Sequence, residues 1–236
     1  MSADRRWVPE LVMLVVTAGL ATILVRLSDA DMKISALFYR PGAAGGSWPV
    51  GERLPWRALN QAAPWLAVLL GLLGAALLVI GRLEPRRSAW SAHGLLILLT
   101  LLIGPGVVVN VLAKDHWRRP RPHRTEGLGG RYSYVPPLVT GPHGRSFPCG
   151  DASVGFACGA LYYAGRRRRP VAARLCLAAS IAAGLLIGVA RVASGAHFLS
   201  DVLWGGFLTW AVLMVVHYTI LGIRGHRPEG AVATSR

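Results

Sequence analysis

Six apolar runs divide this chain, at residues 10–25, 64–80, 94–113, 149–164, 171–190 and 201–221. Each approaches the roughly 20 residues that an α-helix needs to cross the hydrocarbon of a bilayer. In lipid every backbone N–H and C=O must be satisfied within the chain, so runs of this length fold as helices. The expectation is an all-α polytopic membrane protein, six transmembrane helices in a single domain over residues 1–236. Only the segments between the runs remain for polar chemistry. Composition agrees: 53% of residues are hydrophobic and 16% charged, too apolar for a soluble domain.

The long polar segments are 26–62 and 114–148. The first carries Asp29, Asp31, Lys33, Arg40, Glu52, Arg53 and Arg57 and a Gly/Pro-rich stretch. A short interfacial helix is expected around Met32–Tyr39, and the segment fits a lid or a plain interfacial stretch equally. The net charge of +15 lies in short clusters between apolar runs. That pattern suits anionic lipid or phosphate and not nucleic acid. Cys149, Cys158 and Cys176 form no paired framework and no Cys/His metal spacing, so no metal or cofactor is expected. Arg5 and Arg6 precede the first run without a small-residue cleavage site, which reads as a retained span. Nothing in the sequence fixes an oligomeric state.

Six spans put both termini on one side. Lys and Arg are evenly divided between the two sides, but topogenic weight lies in short loops near span ends. The short loops 82–93 and 165–170 share the side of the termini. The termini are therefore expected in the cytoplasm, and the loops 26–62 and 114–148 outside an inner (plasma) membrane, facing the periplasm. The run Arg166–Arg169 reads as topogenic and nothing more. One consequence follows for chemistry. The end of the third span, the start of the fourth, the end of the fifth and the start of the sixth all meet one membrane face.

Three clusters lie at those ends. The first is Lys114 followed, after six residues, by Arg121-Pro122; the second is Ser146-Phe147-Pro148-Cys149-Gly150-Asp151; the third is Arg191, then His197 after five residues, then Asp201 after three. Alone, the stretch 114–122 reads equally as a juxtamembrane patch for anionic headgroups. His197 and Asp201 are spaced to share one helix face. A carboxylate beside an imidazole fixes its tautomer and favours its cation, and such a histidine serves as nucleophile or base. Lys114, Arg121 and Arg191 suit the non-bridging oxygens of a phosphate. Gly150 leaves the N–H groups at the start of the fourth span open to an anion. Arg118 and Arg119 read as headgroup contacts or partners of nearby acids, and Trp117 as an interfacial anchor.

The order and spacing of the three clusters resemble the type 2 phosphatidic acid phosphatase (PAP2) superfamily, whose pattern is Lys-x6-Arg-Pro, Pro-Ser-Gly-His and Ser-Arg-x5-His-x3-Asp. The resemblance covers roughly Gly94 to Leu221 and implies a PAP2-like core bundle. It also implies a metal-independent lipid phosphatase in which His197 attacks phosphorus, Asp201 supports it, and Lys114, Arg121 and Arg191 bind phosphate. Substrates of similar bacterial proteins are undecaprenyl diphosphate, phosphatidate, phosphatidylglycerol phosphate and lipid A phosphates. A lipid phosphotransferase and a non-catalytic headgroup binder are the alternatives. A transporter is disfavoured, because the ionisable residues sit at span ends.

Three positions depart from the pattern. Cys149 and Ala190 stand where the family has serines, and Asp151 where it has the histidine that protonates the leaving oxygen. Cys149 keeps a backbone N–H and a weak thiol donor for phosphate. Asp151 is open to three readings: a working acid, a spectator with His116, His123 or His143 donating instead, or an impairing substitution.

Overall fold

A computed structural model describes residues 7–43 and 46–224. Arg5, Arg6 and the polar tail beyond residue 224 lie outside them, and so do both termini. The first long helix, α1 (Trp7–Ser28), ends in a sharp turn at Asp29, whose φ of 53° is one that Asp tolerates better than most residues. The turn leads into α2 (Ala30–Phe38). After α3 (Trp56–Asn60) comes α4 (Ala62–Leu83). The third crossing is composite: α5 (Ser88–Leu101), a π-helical stretch (Leu102–Ala113) and α6 (Lys114–Trp117). Pro105 lies inside the π stretch and has no N–H to give the ladder. The carbonyl of Pro105 accepts from the Asn110 side chain at 2.7 Å.

The fourth crossing is broken. Helices α7 (Gly150–Ala157) and α8 (Ala160–Gly165) are separated by a tight turn at Cys158 and Gly159, where a side chain at 159 would collide with the Trp210 ring. The chain closes with α9 (Pro170–Ala193) and α10 (Leu199–Arg224). Among the described residues, five helical segments are long and apolar enough to cross a membrane, one of them the composite stretch Pro85–Arg124. The six expected crossings thus become five clear spans and one broken segment. The described secondary structure is helical apart from a lone bridge between Thr125 and Tyr132.

Small residues let the helices touch. A Cβ at Gly94 would strike α4 at Gly74 and Leu78, and one at Gly155 would strike α9 at Gly184. Large apolar side chains on α1 (Val12, Met13, Val15, Leu24) and α4 (Trp65, Leu69, Leu72) point outward. That inside-out pattern suits a lipid surround. Leu96, Ile97 and Leu213 fill the interior.

Candidate active site

The loop that carries His197 is shaped by the end of α9. Gly195 has φ of +66°, Gly195 N–H donates to Val192 O (2.9 Å), and Ala196 N–H donates to Arg191 O (3.0 Å). This is the two-bond glycine stop that closes many helices. It explains the spacing between Arg191 and His197, because the reversed chain brings the His197 N–H to 3.3 Å from Arg191 O. A Cβ at Gly195 would strike the ring of Trp48, and one at Gly51 would strike Ser194. Trp48 and Gly51, from the 26–62 segment, therefore pack against the loop that carries His197.

Asp201 caps α10 from its first turn by accepting the Phe198 N–H at 2.8 Å. The same oxygen, Oδ2, accepts the Ser146 hydroxyl (2.5 Å) and lies 3.5 Å from His197 Nδ1. The other oxygen, Oδ1, accepts from Arg119 Nη1 at 2.5 Å. The Nδ1 of His197 is buried with no hydrogen-bond partner in line. Burial works against charge on this imidazole, but Cys149 and Asp201 beside it prevail and raise its pKa to about 9.

The three expected phosphate cations converge here. Lys114 and Arg121 lie within electrostatic reach of Cys149 and Asp151, and Arg121 of Arg191. Lys114 Nζ donates to Asn110 Oδ1 (2.6 Å), and a Cβ at Gly150 would collide with that Asn110 side chain. Gly150 thus serves close packing against Asn110. Arg121 sits between two prolines with φ −80° and ψ 155°, an extended conformation. Its carbonyl accepts from the Arg124 N–H and the Thr125 hydroxyl, while no hydrogen bond or ion pair holds its guanidinium among the described residues. Arg191 Nε is 3.0 Å from Asp151 Oδ2 yet lacks hydrogen-bond alignment.

Several expectations need correction. The Cys149 N–H is not available to a phosphate, because it donates to Asp201 O at 2.8 Å. Asp151 is the ion partner of Arg191. Of the three alternative histidines, His116 and His143 are exposed, while His123 is fixed beside the His197 loop by N–H and Nδ1 contacts to Gly195 O at 3.1 and 2.9 Å. Arg118 is exposed, as a headgroup contact would be. Arg119 is 1% exposed and pairs with Asp31 (2.8 Å) and Asp201, so of its two readings the acid-partner one holds. Asp31 and Asn110 were missed, and Ser146, within the second cluster, was given no role. Asn110 adjoins the first cluster, but nothing in the sequence marks Asp31.

The sequence pattern of the PAP2 superfamily matches residues 94–224. The chain is 36% identical over 157 residues to a lipid A 4'-phosphatase of Francisella tularensis subsp. novicida, covering 64% of this chain and 67% of that protein. It is 36% identical over 129 residues to a lipid A 4'-phosphatase of Rhizobium leguminosarum, of which it spans about half (52%). The crystal structure of a transmembrane PAP2-type phosphatidylglycerolphosphate phosphatase from Bacillus subtilis aligns with a TM-score of 0.52 at 21% identity, covering 93% of this chain and 98% of that one. It shares the fold.

Proposed function

The chain belongs to the PAP2 superfamily, and on that premise we propose that it is an integral-membrane lipid phosphatase. It removes a phosphate from a membrane lipid, with lipid A-type phosphates first among the candidates because the relatives above are so named. The active site faces the periplasm and both termini the cytoplasm, by the charge of the short loops.

In this reading Lys114, Arg121 and Arg191 grip the non-bridging oxygens, where transition-state charge is spread. Asp201 holds His197 through Nδ1, which leaves Nε2 to attack phosphorus. The P–O bond to the lipid breaks, the lipid oxygen takes a proton, and phosphate stays on His197. Water then attacks phosphorus, gives up a proton and frees inorganic phosphate and the imidazole. The proton for the lipid oxygen comes from His123, because Asp151 is occupied by Arg191. The observation that supports the reading most is the gathering of Lys114, Arg121 and Arg191 around Cys149 and Asp151, with the buried Arg191 Nε lacking an aligned hydrogen bond. Buried polar atoms are normally satisfied, and an incoming phosphate meets the arginine's need.

The test is release of inorganic phosphate from a panel of lipid A, phosphatidate, phosphatidylglycerol phosphate and undecaprenyl diphosphate in EDTA, with His197→Ala as control. Release that persists in EDTA and disappears in the variant is expected, and release by the variant would defeat the reading. A protonated His197 has no lone pair for attack. With its pKa raised to about 9 and that of the donor His123 lowered by burial, neutral His197 and protonated His123 coexist in a small fraction that is constant between the two values. So kcat/KM is expected to be flat from neutrality toward pH 9 and to fall above it as His123 alone goes on losing its proton.

A further inference from the structure

The carboxylate that holds His197 is itself held by a buried chain of charge that begins far away in sequence. Arg119 donates Nη1 to Asp201 Oδ1 and Nη2 to Asp31 Oδ2 (2.8 Å). Asp31 and Asp201 are 0% exposed and Arg119 1%. Asp31 comes from α2, in the segment that sequence reading left as lid or interfacial filler. Four donors close on it: Arg119, the Tyr134 hydroxyl at 3.0 Å, and the N–H (2.8 Å) and hydroxyl (2.5 Å) of Ser200. Each of the two carboxylates also accepts a backbone N–H at the start of α10, from Phe198 and Ser200.

The charge balance of this group is what matters for His197. Arg119 and Asp201 alone form a neutral pair, and a neutral pair has little hold on an imidazolium. Adding Asp31 leaves the group of three with one net negative charge, and His197 is the neighbour that titrates against it. We propose that Asp31 and Arg119 are positioning residues for His197: Arg119 locks Asp201 in place, and Asp31 cancels the arginine so that Asp201 stays negative toward the imidazole. The proposal rests on the reading of His197 as the attacking residue. It gives α2 a chemical task, setting the basicity of a histidine on the far side of the chain. Burial makes the effect large, since these charges are screened far less than surface pairs.

The prediction has a sign pattern that a merely structural pair does not share. Asp31→Asn leaves Arg119 uncancelled and makes His197 less basic. Arg119→Gln leaves two carboxylates and makes it more basic. The double variant removes one charge of each sign and restores the balance. The other charged or titratable groups facing this centre, Cys149, Arg121, His123, Tyr134 and Arg191, stay in place throughout.

The measurement is the pH titration of the His197 ring by NMR in detergent micelles, with histidine labelled and His197→Ala used for assignment. The expected midpoint falls by about one pH unit, a tenfold loss of proton affinity, in Asp31→Asn. It rises in Arg119→Gln and returns to the wild-type value in the double variant. An unmoved midpoint in Asp31→Asn, or a double variant lower than that single one, overturns the proposal. Should Asp31→Asn not fold, the double variant decides: folded with the wild-type midpoint supports charge balance, and unfolded or shifted refutes it. Phosphate release is assayed on the same proteins. If His197→Ala still releases phosphate, the catalytic reading fails while the titration still reports on the charge chain.

Discussion

At one end of the bundle Arg119 reaches Asp31, Asp201 and Ser200; at the other Arg166 reaches Glu10 (2.6 Å), Tyr218 (3.1 Å) and His217 (3.0 Å). Both arginines stack on aromatic rings, Arg119 on Phe198 at 4.4 Å and Arg166 on Tyr163 at 4.5 Å. Both tie elements remote in sequence. They differ in what lies beyond them. At the far end the Glu10 carboxylate is closed by Arg166 and by the Tyr163 hydroxyl (2.6 Å), which staples α1 to α8. At the site end Asp201 turns its second oxygen to His197, and Lys114, Arg121 and Arg191 stand nearby with Asp151 as the carboxylate paired among them. Each arginine thus pins remote elements together, Arg119 buried and Arg166 half-buried. A carboxylate turned to a histidine beside the cations suited to phosphate is what separates a site from a staple. Arg166 therefore does more than set topology.

Breaking the site end should cost activity, and breaking the far end should cost stability. The largest effect is expected for Asp201→Asn, which leaves His197 without its orienting carboxylate and lowers kcat about 10³- to 10⁴-fold. Steady-state phosphate release checks it. Next is Arg121→Ala, about 10²- to 10³-fold in kcat/KM by analogy with removal of one transition-state donor. Because no hydrogen bond or ion pair holds the Arg121 guanidinium among the described residues, thermal unfolding of the variant should stay near wild type. The smallest catalytic effect is expected for Arg166→Ala. It should lose about 2 kcal/mol of stability by removing a charged hydrogen bond and leaving Glu10 to the Tyr163 hydroxyl, while the folded fraction keeps kcat within a few-fold. Denaturant unfolding in detergent, set against activity per folded molecule, separates the two ends.

The helices were legible because lipid permits so little else, and the bends were not. Pro105 signals a disturbance but not a π-helical stretch, and the need for a small residue at 159 comes from Trp210 on a distant helix. The spacing of Arg191 to His197 was legible because a local device, the glycine stop at Gly195, creates it. The task of Arg119 was not, because its partners Asp31 and Asp201 lie 88 and 82 residues away in the chain. Sequence pattern resolved Arg121 from its neighbours through a fixed interval. Arg119 follows no interval that a single sequence displays. Cys149 shows a third case. Its side chain was visible as a departure, but its N–H is spent on Asp201 O, a bond that only the packing of α7 against α10 creates.

The central claim is that His197 carries the phosphate. Its most direct test is to mix the purified protein with lipid A labelled with ³²P at its phosphates, quench within a turnover, and assay label bound to protein. Label that is lost in acid, survives base, and is absent from His197→Ala is expected. Label of the same kind on the His197→Ala protein, or phosphate released by the wild type with no acid-labile label at any time, would contradict it.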